Sequence, residues 1–287
     1  MPARVTVQAP AKINLTLDAV GRRADGYHLL ESVMQTVSIR DTLIAERAED
    51  ITVETPGAAL CPPEKNTAYR AAEVFFAAVG VRGGVRMTVD KQIPVQAGMG
   101  GGSADAAAAL LALDRLYDTH LDSAALCALG EKVGADVPFC LVGGTAMVTG
   151  IGERIAPLPA LPDCTIVIAQ PDTGVSTAAA YAALDAATIT ARPDHPALLR
   201  ALACGDLAAV CRQTVNVFEE AIALPGVTAI RRQMAAFSPL TAQMTGSGSA
   251  VFAVFVDEAS AAACAAALGQ EYPVVRVCHP CAGPIIA

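Results

Sequence analysis

The sequence has no tryptophan, and aromatic residues make up only 4% of its 287 positions. Alanine, valine and leucine must therefore supply most of the packing volume. Charge is scarce as well, at 17% against 53% hydrophobic residues, which excludes global disorder and allows a sizeable core. No apolar stretch is long enough for a bilayer, because Asp105 and Asp114 interrupt the longest ones. The opening "MPARVTVQAPAK" carries no apolar signal core, so a cytoplasmic protein without membrane segments is expected. Basic residues are outnumbered, 20 against 28 acidic ones, and a net charge of −8 argues against a nucleic-acid surface. Acidity does not exclude a small anionic ligand, since backbone N–H groups and one or two cations can hold phosphate locally.

Nine cysteines, an odd number, follow no framework, and reduced thiols are expected. Cys278-His279-Pro280-Cys281 offers one pair of zinc ligands, but no second C-x-x-C completes a set of four, so a strand end is the better reading.

No repeat or low-complexity linker divides the chain. In "AKINLTLDAV", Ile13, Leu15 and Leu17 alternate with Lys12, Asn14 and Thr16, which predicts a strand with those polar residues on one face. Asp25-Gly26 predicts a hairpin turn. Ala68, Ala71, Ala72, Phe75, Phe76 and Val79 recur at helical spacing, with Asn66 or Thr67 as N-cap and Gly80 as the stop. Further helices are predicted from about Ser103 to Tyr117, from Asp122 to about Val133, from Ser176 through Leu184 and after Leu198. "TIVIAQP" and the two arms of "TAQMTGSGSAVFAVFV" read as strands, and "YPVVRVC" as the last one. Three prolines in "APLPALPDC" mark a boundary near residue 158. Strands and helices mixed without regular βαβ alternation predict an α+β protein of two lobes.

"PVQAGMGGGSADAAAALLAL" is the most unusual stretch. Gly98, Gly100, Gly101 and Gly102 run into Ser103, Ala104 and an alanine-rich helix. No lysine follows the glycines, which excludes a Walker A loop. Counting G-x-G-x-x-G from Gly98 ends on Ser103, and from Gly100 on Asp105, which excludes a Rossmann fingerprint. What survives is a glycine loop closed by a helix-capping serine, its free N–H groups aimed at an anion. A tight strand-to-helix connection without ligand is the plain alternative. Asp136, in the apolar "GADVPFC", needs either a partner or a cap role. Lys12 stands among Ala9, Pro10, Ala11 and Ile13, an unusual setting for a solvated lysine.

Together "APAKINLTL" with "RRADGYHLLESVMQTV", then "PVQAGMGGGSADAAAAL", then "TGSGSAVFAVF" resemble, in order and separation, the three signatures of the GHMP small-molecule kinases. Met99 departs from the usual leucine, and Ala104 stands where a second serine is common. The resemblance implies a two-domain α+β GHMP kinase fold with its site in the interdomain cleft, divided here as 1–158 for the ATP-binding domain and 159–287 for the second. It implies ATP as co-substrate with Mg2+, whose protein ligands it does not name beyond Ser103 as a candidate. Asp136 is then the catalytic carboxylate and Lys12 its partner cation. Pro94, Val95, Gln96, Ala97, Gly98, Met99, Gly100, Gly101, Gly102, Ser103 and Ala104 form the ATP loop, while Asn66 and Thr67 either touch adenine or cap their helix.

The triple glycine and the "DGYH" element point to one branch of the family, which phosphorylates the 2-hydroxyl of 4-(cytidine 5′-diphospho)-2-C-methyl-D-erythritol. On that reading Asn14 lines the acceptor site, Tyr27 stacks on cytosine, and His28 hydrogen-bonds it. Tyr181 forms a second ring wall, and Asn216, Gly246, Ser247 and Gly248 lie beside acceptor and phosphates. A kinase of homoserine or mevalonate, a non-catalytic nucleotide-binding module and a zinc-stabilised interaction domain are the competing readings.

Overall fold

The structure is a computed structural model that describes residues 2–57 and 61–287. The chain opens with β1 (Arg4–Asn14), β2 (Thr16–Arg22), β3 (His28–Ala48) and β4 (Thr52–Glu54). Then come α1 (Thr67–Val79), β5 (Gly84–Asp90), α2 (Gly101–Tyr117), α3 (Ser123–Glu131), α4 (Val137–Val142), β6 (Thr145–Gly150) and β7 (Arg154–Pro157). The second half runs β8 (Thr165–Gln170), α5 (Thr177–Ala186), α6 (His195–Ala203), α7 (Leu207–Arg212), β9 (Val215–Asn216) and α8 (Val217–Ala221). It closes with α9 (Pro225–Ala235), β10 (Thr241–Met244), β11 (Val251–Phe255), α10 (Glu258–Leu268), β12 (Val274–Cys278) and β13 (Ile285–Ile286).

Among the described residues nine strands form one sheet and four form another. The long β3 is the spine of the first. Its early half pairs with β2 and β6, and its later half with β1 and β5. The Asp25-Gly26 turn joins β2 to β3 as predicted, with Gly26 at φ +91° and Arg22 opposite His28. The second sheet runs β10-β11-β8-β12, antiparallel throughout. Helices cover both of its faces: Ile166, Ile168, Phe252 and Val254 join the main core, while Val167, Ala169, Val251 and Phe255 join a second core with α9 and α10. Burial on both faces explains why "VFAVF" is apolar throughout rather than alternating.

α2 lies at the centre of the main core. Ala104, Ala106, Ala107, Ala108, Ala109, Leu110 and Leu113 are all fully buried. Alanine has the highest helix propensity and no side-chain bulk, so the helix can pack closely against β1, α1 and α4. α1 begins where Asn66 accepts from the Ala68 N–H and stops at Gly80, which is left-handed at φ +66°.

Three expectations need correction. β12 is not the last strand: β13 returns to pair with the edge of β1. Ser103 caps nothing, because α2 starts two residues earlier, behind the left-handed Gly100. Gly101 and Gly102 accordingly form the first helical turn, and within the loop only Gly98 and Gly100 take positive φ among the glycines. Cys278 does end a strand, β12, and all nine cysteines are free. Among the described residues no cluster of histidine, cysteine or acidic groups suits a metal, and no helix is long and apolar enough to cross a membrane.

Candidate active site

One cavity of about 880 Å³ is lined by residues of β1, β2 and β3, the glycine loop, α5 and the Gly246–Ser247 turn, and most of the chemistry-bearing residues reach it. Gly98, Gly100 and Ser103 form part of its wall. The first hydrogen bond of α2 runs from the Ala104 N–H to the Gly100 carbonyl, so the N–H groups of Gly101, Gly102 and Ser103 have no partner within the helix. With the helix dipole behind them, these groups have the chemistry that suits an anion.

β1 brings Lys12 and Asn14 to the same cavity. Period two puts them on one face, as predicted, yet that face is no more exposed than the other: Lys12 is 4% and Asn14 1% accessible. The glycine loop covers it. The Lys12 N–H donates to the Met99 carbonyl at 3.0 Å, and a Cβ on Gly100 would come within 3.0 Å of Lys12 Cγ. The Lys12 ammonium donates to Asn14 Oδ1 at 2.8 Å and lies 3.4 Å from Asp136 Oδ2. Asp136 occupies the N-cap position of α4 but makes no side-chain cap bond, so its carboxylate is free to face the cavity and Lys12.

The third signature packs against the second backbone to backbone. The Ala250 N–H donates to the Ala97 carbonyl at 3.2 Å, and Gly246 N–H donates to Asn14 Oδ1 at 3.1 Å. Thr245 Oγ1 accepts from the Asn14 N–H at 3.0 Å. Asn14 thus ties the first signature to the third.

The far wall is aromatic. His28 stacks on Tyr181, with ring centroids 4.6 Å apart at 26°, and Tyr181 meets Phe218 edge-on at 5.1 Å. Tyr27 stands at the rim, 62% exposed, and lines the cavity without a core role. Burial pushes the Tyr181 phenol up to about 12, with the Asp136 charge adding to the push, so the ring stays neutral. His28 Nε2 lies 2.7 Å from Asp185 Oδ1, and Arg22 Nη1 lies 3.3 Å from the other oxygen of that carboxylate. The His28 hydrogen bond, with the charges of His28 and Arg22, holds Asp185 below the usual carboxylate range.

Of the expected site residues, Lys12, Asn14, Tyr27, His28, Gly98, Gly100, Ser103, Asp136, Tyr181, Gly246 and Ser247 share this cavity. Others stand apart. Asn216 does not line it: its amide donates to the Met244 and Gly246 carbonyls at 2.9 and 2.8 Å, and its oxygen accepts from the Phe218 N–H. It shapes the third turn from behind. Gly248 lies outside the cavity wall, packed on the Met244 sulfur. The side chains of Ala97, Met99 and Ala104 are buried in the core. Pro94, Val95 and Gln96 lead into the loop, where the Val95 carbonyl accepts from Gln170 Nε2 at 3.0 Å. Asn66 spends its side chain on the α1 cap, and Thr67 Oγ1 donates to the Gly102 carbonyl at 2.6 Å, tying α1 to the loop.

Sequence reasoning missed two groups. Arg22 and Asp185 line the cavity beside His28, and the signals were local: Arg22 sits across the predicted hairpin, and Asp185 follows Tyr181 by four on one helix. The second group is Asp41, Lys91 and Asp105. The Lys91 ammonium bridges both carboxylates, and Asp41 Oδ1 accepts from the Gln92 and Ile93 N–H groups at 2.6 and 2.8 Å. Lys91 precedes the glycine loop and Asp105 follows it, so the cluster clamps both ends of the loop. No sequence signal links three residues from a strand, a loop and a helix.

Two family models match the chain: the GHMP kinases N terminal domain over residues 66–144 and the GHMP kinases C terminal over residues 197–274. The chain belongs to the GHMP kinase family. Its similarity extends to one kind of member within it. A 4-diphosphocytidyl-2-C-methyl-D-erythritol kinase of Brevibacillus brevis is 43% identical over 260 residues, covering 89% of each chain. One of Caldicellulosiruptor saccharolyticus is 41% identical over 256 residues, 88% of each. A crystal structure of 4-(cytidine 5'-diphospho)-2C-methyl-D-erythritol kinase superposes with a TM-score of 0.80 at 36% identity, covering 96% of this chain and 98% of the other. A homoserine kinase from Cytophaga hutchinsonii shares the fold, with a TM-score of 0.76 at 18% identity over 100% of this chain and 98% of the other.

Proposed function

We propose that this chain transfers the γ-phosphoryl group of ATP to the 2-hydroxyl of 4-(cytidine 5′-diphospho)-2-C-methyl-D-erythritol. One observation carries the reading: a single cavity is lined both by the Lys12–Asp136 pair with the glycine loop and by the His28–Tyr181 stack. That combination suits an acceptor that carries both a reactive hydroxyl and an aromatic base. Homoserine and mevalonate have no ring for such a wall to stack on. The relatives at about 40% identity carry the same assignment in their names.

Phosphoryl transfer asks mainly for alignment and for stabilisation of charge on the moving oxygens. The N–H groups at the start of α2 hold the ATP phosphates. Asp136 orients the acceptor hydroxyl and takes its proton as the new P–O bond forms. Lys12 keeps that carboxylate in place and stabilises negative charge on the transferring group. Tyr27 stacks on cytosine while His28 hydrogen-bonds its edge, with Asp185 holding the imidazole. The oxygen donors facing the cavity, Ser103 Oγ and the Asp136 carboxylate, suit Mg2+, which prefers oxygen and is shared with nucleotide phosphates. When bound, the ion neutralises phosphate charge. Residues 1–158 are taken as the ATP-binding unit and 159–287 as the second; the two family segments lie on either side of that division.

The test is ADP release with ATP, Mg2+ and the cytidine substrate, beside homoserine and mevalonate, for the native chain and Asp136→Ala. Turnover confined to the cytidine substrate and lost in the variant is the expected result. Turnover with another acceptor would discard the aromatic pocket assignment. ATP binding without any turnover would make the protein a non-catalytic nucleotide module.

A further inference from the structure

Lys12 acts through its position, and that position depends on which way the Asn14 carboxamide faces. Asn14 Oδ1 accepts from the Lys12 ammonium at 2.8 Å and from the Gly246 N–H at 3.1 Å. Turned over, the amide would present Nδ2 to both, donor against donor. Something must therefore hold the NH2 on the opposite side.

That group is Ser32, fully buried on β3 and absent from the cavity wall. Its Oγ accepts from Asn14 Nδ2 at 2.8 Å and donates its own proton to the Thr16 carbonyl at 2.5 Å. With that proton committed, the hydroxyl offers Asn14 only lone pairs, so only the amide NH2 fits against it. Thr16 is itself fixed. Its Oγ1 accepts from the Val33 N–H at 2.9 Å and shares a hydrogen bond with His195 Nε2 at 3.1 Å. His195 Nδ1 lies 3.2 Å from Glu31 Oε2. His195 is the first residue of α6, so the buried chain ties Lys12 to a helix from the second half of the sequence.

We infer that Ser32 is a positioning residue: its hydroxyl fixes the polarity of the Asn14 amide and, through it, the place of the Lys12 ammonium. This rests on the kinase reading above, with Lys12 at the reacting phosphate. Ser32→Ala removes the only acceptor among the described residues that holds Asn14 Nδ2 in its orientation, and leaves a buried donor unpaired.

The native chain, Ser32→Ala and Ser32→Thr are compared in two ways. In steady-state kinetics, Ser32→Ala lowers kcat by roughly 10- to 100-fold, the scale of a small misplacement of a catalytic group. KM for both substrates stays within about threefold, and Ser32→Thr, which keeps the hydroxyl, retains most of kcat. In NMR of the protein without substrate, the Asn14 side-chain NH2 exchanges slowly in the native chain and rapidly in Ser32→Ala. Native kcat in Ser32→Ala, or a loss that folded Ser32→Thr shares, overturns the inference. So does unchanged Asn14 exchange, whatever the substrate proves to be. If the native chain does not phosphorylate the cytidine substrate, the kinase reading fails while the NMR result still decides the role of Ser32. Should Ser32→Ala not fold, Ser32→Cys keeps the volume with a far weaker acceptor and reads the same quantities.

Discussion

Gly98 and Thr245 lie so close that a Cβ on Gly98 would come within 2.3 Å of the Thr245 carbonyl oxygen. The contact is reciprocal across the two signatures, since a Cβ on Gly246 would come within 2.8 Å of the Gly98 carbonyl oxygen. The glycines are there for the approach of one backbone to another as much as for a ligand. Gly98→Ala adds both this overlap and the strain of a left-handed φ of +74°. It should cost at least about 2 kcal/mol of stability and abolish turnover. Urea denaturation checks the first, and a variant as stable as the native chain would show that the two loops separate easily.

Lys12→Met should lower kcat by roughly 10²- to 10³-fold, as expected on losing a preorganised charge at the reacting group. Lys12→Arg should not restore it. The ammonium sits between Asn14 Oδ1 and Asp136 under the Gly100 backbone, where a planar guanidinium fork has no room to align. Steady-state kinetics decides this, and native-like kcat in Lys12→Arg would reduce Lys12 to a simple point charge.

Tyr27→Ala separates base recognition from catalysis. Base–aromatic stacking is worth about 1–3 kcal/mol, so KM for the cytidine substrate should rise roughly 10- to 100-fold with kcat little changed. Because Tyr27 is largely exposed, stability should stay within about 0.5 kcal/mol of native. An unchanged KM would mean that the rim tyrosine does not meet the base.

Burial pushes Asp105 from its ordinary 3.8 up to about 7 against the pull of the Lys91 ammonium, and the Asp41 charge adds to the push. A group whose folded pKa is raised gives stability that is full below its unfolded pKa and is lost as pH climbs through the folded value. Asp105 thus makes the native chain lose stability between pH 3.8 and about 7. In Asp105→Asn that loss disappears. Plotted against pH, the unfolding free energies of native chain and variant should converge or cross as pH rises from 5 to 8. Parallel curves would mean that Asp105 ionises normally in the fold.

The glycine loop, the α1 cap and the pairing of Lys12 with Asn14 were legible because each is written in adjacent residues. Gly98 to Ser103 is a local pattern, and Lys12 and Asn14 share a face by strand period alone. The meeting of Lys12 with Asp136 was legible only through resemblance, since nothing local in "GADVPFC" names its partner. Ser32 and the Asp41–Lys91–Asp105 clamp were not legible. Their partners lie on other elements, and a serine in a strand carries no mark of the amide it orients. The start of α2 was misplaced because Ser103 looks like a cap, whereas left-handed Gly100 ends the loop sooner. Asn216 was placed beside the acceptor by the resemblance, whereas its side chain holds the third turn from behind.

β13 has a consequence in time. Val7 and Gln8 on β1 pair with Ile286 and Ile285. β1 is made long before β13, so one of its edges stays open until that strand has been added. Pairings between such distant segments are slow to form, because a long loop must close before any contact rewards it. Lys12 therefore leaves the ribosome long before β13 does, and the strand that carries it waits for that later pairing to close its free edge. A nascent chain stalled before that point would carry every signature of the kinase with its lysine strand still unprotected on one side.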